Sequence, residues 1–130
     1  MLGGERARTR VRVLHVCAHR VPPPPHHHQT APGVFNEKML AALDATLAAA
    51  AAAGVRVSLS LLNNWNYNDA SKDTKCGIAR MAKGSPKLTG AECDAAFWGN
   101  DAAKQIYKDY VKAIVTRTNS VTGVKYVDDG

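Results

Sequence analysis

Three consecutive side chains, Asn63, Asn64 and Trp65, are this sequence's best equipment for holding a ligand. Carboxamides both donate and accept hydrogen bonds, so they match hydroxyl groups in either role. An indole offers a broad apolar face that stacks on the C–H face of a pyranose ring. The trio directly follows the apolar run VRVSLSLL at 55–62. In parallel α/β folds, residues just past the carboxyl ends of strands line the ligand crevice. On spacing alone two readings stand level: a sugar-binding lip, or two asparagines capping a turn with Trp65 packed under a loop.

Other chemistry-bearing residues are less well arranged. The chain holds eleven Asp and Glu residues, yet none follows a convincing strand. Asp128 and Asp129 are adjacent and would face opposite ways in an extended segment. No Ser-His-Asp order, phosphate-binding loop, HExxH or GxGxxG occurs. His26, His27 and His28 adjoin a four-proline run and read as a low-complexity tract rather than a metal site. His15 and His19 read as strand or strand-end histidines. Three cysteines without a CxxC pair argue against zinc. Cys76 and Cys93 share one long loop, either as a disulfide or as two free, partly buried thiols. These residues form no recognised metal or cofactor motif.

Behind these residues stand the elements that must position them. The segment at 11–18 (VRVLHVCA) reads as a buried strand, and the Pro/His tract after it as a break. From 36 to 53 the spacing of Met39, Leu40, Leu43 and Leu47 predicts a helix, with Phe35 extending its apolar stripe. Asn36 is placed to cap it, Phe35 and Leu40 to staple its start, and Gly54 to end it. A strand at 55–62 follows, its small serines suited to a crowded interior. Strand, helix and strand make a βαβ unit with parallel strands. Apolar periodicity then lapses for nearly forty residues, a length that is functional or holds short helices of its own. A second amphipathic helix is predicted at 101–118, with Ile106, Tyr107, Tyr110, Val111, Ile114 and Val115 inward. The end, 119–130, is turn-like.

The fold class is therefore α/β. Two parallel strands do not shield their own faces, and a complete (β/α)8 barrel needs about 250 residues. A chain of 130 residues is read as a partial barrel. Its organisation is expected as a basic, Pro/His-rich segment with one strand at 1–31 and the partial barrel at 32–130.

Three blocks carry a resemblance: PGVFNEKMLAALD, then AAGVRVSLSLLNNW, then IYKDYVKAIVTRTNSVTGVKYVDD. In order and spacing they resemble endo-1,4-β-mannanases of glycoside hydrolase family 5, of the plant, algal and fungal type. The likeness runs from Pro32 to Asp129 around a variable centre and is weak before Pro32. It implies a (β/α)8 TIM barrel that hydrolyses internal β-1,4-mannosidic bonds in mannan, galactomannan or glucomannan. It also implies a retaining mechanism with two glutamates about 5 Å apart. Both glutamates are expected beyond Gly130, the first in an Asn-Glu-Pro motif, so no catalytic residue is assigned here and the chain is expected to be inactive. Asn36-Glu37 is followed by Lys38 and is not that motif. The family's strand arginine falls near His15 and its tryptophan near Cys17, a departure from the pattern. Asn64 and Trp65 are carried over as substrate-binding residues. The implied partner is β-mannan and the implied location extracellular, although no signal peptide is visible.

Net charge of +6 concentrates in Arg6, Arg8, Arg10, Arg12 and Arg20 against Glu5. No aromatic residue is interleaved there, so a nucleic-acid stacking platform is not expected. No run reaches the roughly 18 apolar residues of a membrane span. Two rivals remain: a carbohydrate-binding fragment using Trp65 and Trp98, and a basic interaction module working through those arginines.

Overall fold

The computed structural model describes residues 12–17, 28–62 and 74–129. In chain order its elements are β1 (Arg12–Cys17), β2 (Gln29–Ala31), β3 (Val34–Phe35), α1 (Glu37–Ala52), β4 (Val55–Ser60), α2 (Lys75–Lys83), α3 (Gly90–Gly99) and α4 (Asp101–Val115), then a 3₁₀ turn at Tyr126–Asp128.

β1 and β4 pair in parallel from Arg12↔Val55 to Cys17↔Ser60, as the βαβ reading requires. The two strands therefore end level. Parallel neighbours need a crossover element, and α1 supplies it by packing on β4. β4 turns Val55, Val57 and Leu59 inward, while Arg56 and Ser58 are exposed. Ser58 thus does not sit in the crowded interior expected for it, while Ser60 is half-buried.

Local chemistry explains where α1 begins and ends. Asn36 Oδ1 accepts a hydrogen bond from the Met39 amide at 3.3 Å, satisfying one of the first-turn donors. Phe35 packs against the Leu40–Tyr110–Ile114 cluster beside this cap, in keeping with the expected staple. Gly54 at φ +65 reverses the chain directly into β4, a left-handed geometry that side chains disfavour.

The approach to α1 is a small antiparallel hairpin, β2–β3, closed by Ala31↔Val34. Pro32-Gly33 forms its turn, with Gly33 at φ +72. Proline followed by a positive-φ glycine is the signature of a type II turn, which the sequence reading did not single out at the head of the helix block. The asparagine–indole trio Asn63, Asn64 and Trp65 lies outside the described residues, as do His26, His27 and the arginines Arg6, Arg8, Arg10 and Arg20.

The long aperiodic stretch is not open loop. It holds α2 and α3, each about two and a half to three turns, too short for an apolar stripe to declare itself. Their ends are nonetheless marked. Thr74 Oγ1 accepts from the Gly77 amide at 3.0 Å, and Gly84 at φ +60 stops α2. Glu92 Oε2 accepts from the Thr89 amide at 3.2 Å at the start of α3. α4 begins on Asn100, whose Oδ1 accepts from the Ala102 and Ala103 amides at 2.8 and 3.2 Å. It ends at Val115, short of the expected 118.

The early end of α4 releases Arg117 to meet α1. Asp44, one turn beyond Leu40 on the buried face of α1, is fully shielded from water. Arg117 grips its carboxylate with a fork: Nε to Oδ1 at 3.0 Å and Nη2 to Oδ2 at 2.9 Å. Tyr126 Oη donates to Oδ1 at 2.5 Å, and Ser120 donates to Oδ2 from Oγ at 2.8 Å and from its amide at 3.2 Å. Asn119 Nδ2 donates to the Asp44 carbonyl at 2.9 Å, while Glu37, two turns earlier on α1, takes Arg117 Nη1 at 2.9 Å. Burial alone would push the Asp44 carboxyl up, but the bonds from Arg117, Tyr126 and Ser120 outweigh it and hold the group well below the carboxylate range. The Tyr126 phenol is raised, first by burial and then by its hydrogen bond to Asp44 and that group's charge.

Two outcomes follow. Asp44→Ala leaves Arg117 without its buried partner, and its unfolding free energy in urea should fall by about 3–5 kcal/mol. The sign of the pH dependence is also fixed. Asp44 titrates lower in the folded state than its ordinary value of 3.8, so its contribution is complete above that pH and fades as pH falls through it and on toward the depressed folded value. Tyr126 titrates higher than its ordinary 10.0, so its share is complete below pH 10 and is lost above. Urea midpoints measured from pH 2 to pH 7 should drop steeply below about pH 4 for the natural chain and less steeply for Asp44→Asn.

Candidate functional site

Because β1 and β4 finish side by side at Cys17 and Ser60, whatever follows them leaves from one rim. Past β4 the chain gives Leu61 and Leu62 before the described residues break off. Leu61 turns down to the Leu40–Tyr110–Ile114 core, and Leu62 turns the other way. Leu62 packs against a second cluster formed by Ile78, Ala79, Ala96, Phe97 and Ala103, contributed by α2, α3 and the first turn of α4. The helical insertion is therefore seated at the carboxyl end of β4, beside the point where Asn63, Asn64 and Trp65 depart.

Two adjacent crosslinks hold this insertion together. Cys76 of α2 and Cys93 of α3 form a disulfide, which decides between the two readings of that pair. Next to it, Lys75 pairs with Asp94, the lysine side chain only 5% exposed and the aspartate 36%. Arg80 adds hydrogen bonds from Nε and Nη2 to the Leu88 carbonyl at 3.0 and 2.8 Å, tying α2 to the turn before α3. One turn after Cys93 stands Phe97, buried and set edge-on against Tyr107 at 5.7 Å. Trp98 follows it, edge-on to Phe97 at 4.8 Å and 62% exposed.

The carboxylates are committed elsewhere. Glu37 binds Arg117, Glu92 caps α3, Asp44 is enclosed by its network, and Asp94 pairs with Lys75. Asp128 and Asp129 close a 3₁₀ turn rather than an extended segment. None of the described carboxylates directly follows β1 or β4 in the chain. His28, the one described member of the histidine triplet, is buried, with Nδ1 3.5 Å from Tyr110 Oη. Its carbonyl accepts the Asn36 amide at 2.7 Å, so it serves the core ahead of α1. Among the described residues no three His, Cys, Asp or Glu side chains gather as a metal site, and no helix is long and apolar enough to cross a membrane.

An apolar groove of about 650 Å³ runs along β4 between α1 and the 3₁₀ turn, lined by Leu47, Val57, Leu59, Ile114 and Val127, with Arg56 and Asp129 as charged members. It collects no convergent set of polar groups.

A family description, GH family 5 beta-mannosidase-like, matches residues 7–130. The chain belongs to glycoside hydrolase family 5. It is similar to mannan endo-1,4-beta-mannosidase 4 of Solanum lycopersicum, 39% identical over 101 residues that make up 78% of this chain and 24% of that protein. It is also similar to the putative mannan endo-1,4-beta-mannosidase 9 of Oryza sativa subsp. japonica, 38% identical over the same length and 23% of that protein. The chain thus spans about a quarter of the length of the curated relatives it matches. In three dimensions it is similar to a family 5 mannosidase from Rhizomucor miehei, with TM-score 0.67 and 21% identity, over 88% of this chain and 32% of that one. The fold is accordingly α/β, part of a (β/α)8 barrel: the parallel pair, its crossover helix and the insertion are one sector of it.

Sequence reasoning allowed short helices in the long stretch but placed neither α2 nor α3 and so missed the scaffold beneath Trp98. The signals were present in Thr74 and Gly84 around KCGIARMAK and in the Thr-x-x-Glu spacing of Thr89 and Glu92. The disulfide closes a loop with a sequence separation of 17. Substituting both cysteines with serine should lower the unfolding free energy by about 3 kcal/mol. Adding dithiothreitol to the natural chain should reproduce that loss in urea titrations, and the serine variant should not respond to the reductant.

Proposed function

We propose that this chain is a sector of an endo-acting hydrolase of β-1,4-mannan, galactomannan or glucomannan, and that Asn64 and Trp65 line its sugar cleft. The observation that carries the proposal is the level, parallel ending of β1 and β4 at Cys17 and Ser60. A crevice at that rim is where barrel enzymes bind substrate. A carboxamide and an indole leaving from it suit a pyranose, the amide for hydroxyls and the indole for the ring's C–H face. The plant relatives, which are named mannan endo-1,4-beta-mannosidases, support the substrate class.

The chemistry we assign to the whole enzyme is retaining hydrolysis by two glutamates. One protonates the leaving oxygen and the other attacks the anomeric carbon to form a glycosyl-enzyme intermediate. Neither role falls to a residue of this chain. Glu37 and Glu92 are occupied by Arg117 and the Thr89 amide. What this sector supplies is binding and alignment, in a location we read as extracellular. A disulfide such as Cys76–Cys93 suits that oxidising setting.

The 130-residue polypeptide alone should release no reducing sugar from galactomannan while still retarding in a galactomannan-containing native gel. Asn64→Ala and Trp65→Ala should each relieve the retardation. Sugar release by the purified chain would overturn the assignment of catalysis elsewhere. Identical mobility with and without galactomannan would overturn the sugar-binding reading.

A further inference from the structure

We propose that Trp98 is a second sugar-stacking platform, carried by the helical insertion and serving the same β-1,4-linked mannan chain as the rim. The inference rests on the sugar-binding reading above and extends it to a residue on a separate element.

Trp98 is one of two tryptophans in the chain, and the fold leaves it 62% exposed although a buried cluster lies immediately beneath it. A lone exposed apolar side chain is common and carries no argument by itself. The bracing of this one does. Phe97, 2% exposed, meets the indole edge-on at 4.8 Å with the planes 87° apart, which fixes the ring from one side. Phe97 is held in turn by Tyr107, and one turn back Cys93 is tied to Cys76. The ring is therefore pre-set rather than loose, and a pre-set aromatic loses little conformational freedom on binding.

The surroundings leave the ring approachable. Ala95 and Gly99, beside it on α3, are small and exposed, and a Cβ built on Gly99 meets nothing within 4 Å. No long side chain of α3 is thereby placed to lie over the indole from those positions. Asp101, its side chain 97% exposed and its Oδ1 paired with Lys104 Nζ at 3.1 Å, stands just beyond as a carboxylate of the kind that binds sugar hydroxyls. The placement completes the case. Leu62, directly before Asn63, Asn64 and Trp65, packs into the cluster that includes Phe97. Trp98 thus belongs to the element seated at the end of β4 from which Trp65 departs. A polymer reaching past the rim in this direction meets an indole face whose match is the apolar side of a pyranose ring.

The test is calorimetric titration of the full chain with mannohexaose, comparing the natural sequence with Trp98→Ala, Trp98→Phe and Trp65→Ala. Because Trp98 is exposed, Trp98→Ala should unfold at the same urea concentration as the natural chain, and this is checked alongside. Trp98→Ala should weaken binding by about three- to tenfold, and Trp98→Phe should recover part of the loss by restoring a ring face. Equal affinities for the natural chain and Trp98→Ala, with Trp65→Ala impaired, overturn the platform and leave the rim reading intact. Absence of binding by the natural chain overturns the rim reading and the platform with it.

Discussion

A buried carboxylate and its arginine hold this structure in register. Asp44 lies on the inner face of α1 and Arg117 beyond the end of α4, so their paired hydrogen bonds fasten the crossover helix to the helix that follows the insertion. Burying two charges is costly unless every lone pair is met, and here Tyr126, Ser120 and Asn119 complete the set around the same residue. The network is demanding about geometry as well as strong. Shifting α4 by a turn would leave both a charge and a phenol without partners. The sheet gains its support indirectly, because α1 and α4 together enclose the Leu40–Tyr110–Ile114 core on which Leu59 and Leu61 rest.

This network also explains what the first and third sequence blocks have in common. The first contains Glu37 and Asp44, and the third contains Arg117, Asn119, Ser120 and Tyr126. Blocks far apart in sequence are one cluster in space. The parts of the family likeness read from the first and third blocks are thus the requirements of a structural clamp, whereas the middle block ends at the rim. A resemblance carried by these residues identifies the barrel architecture with more force than it identifies the bond that is cut.

How much was legible follows from the physics of each element. α1 and α4 announced themselves because their stripes run over four turns, and α1 also carries a plain cap signal in Asn36. The parallel pairing followed from the βαβ order alone. The charged network was invisible to hydrophobic periodicity, since Asp44 interrupts the stripe at a position where an apolar residue would satisfy the same pattern. A buried acid seven residues after Glu37, with Arg117 past the end of a later helix, was the available clue. The insertion stayed hidden because crosslinks stabilise it in place of a long stripe. Only its caps and cysteines could have revealed it.

The two apolar clusters meet along α4, with Tyr107 touching both, yet the insertion has its own fasteners in Cys76–Cys93 and Lys75–Asp94. Such self-sealing makes it a module. Its length and outward decoration can change through duplication or deletion of surface turns while the barrel sector beneath keeps its alignment. In such a design the outer surface of the insertion is adjustable independently of the barrel scaffold that carries it.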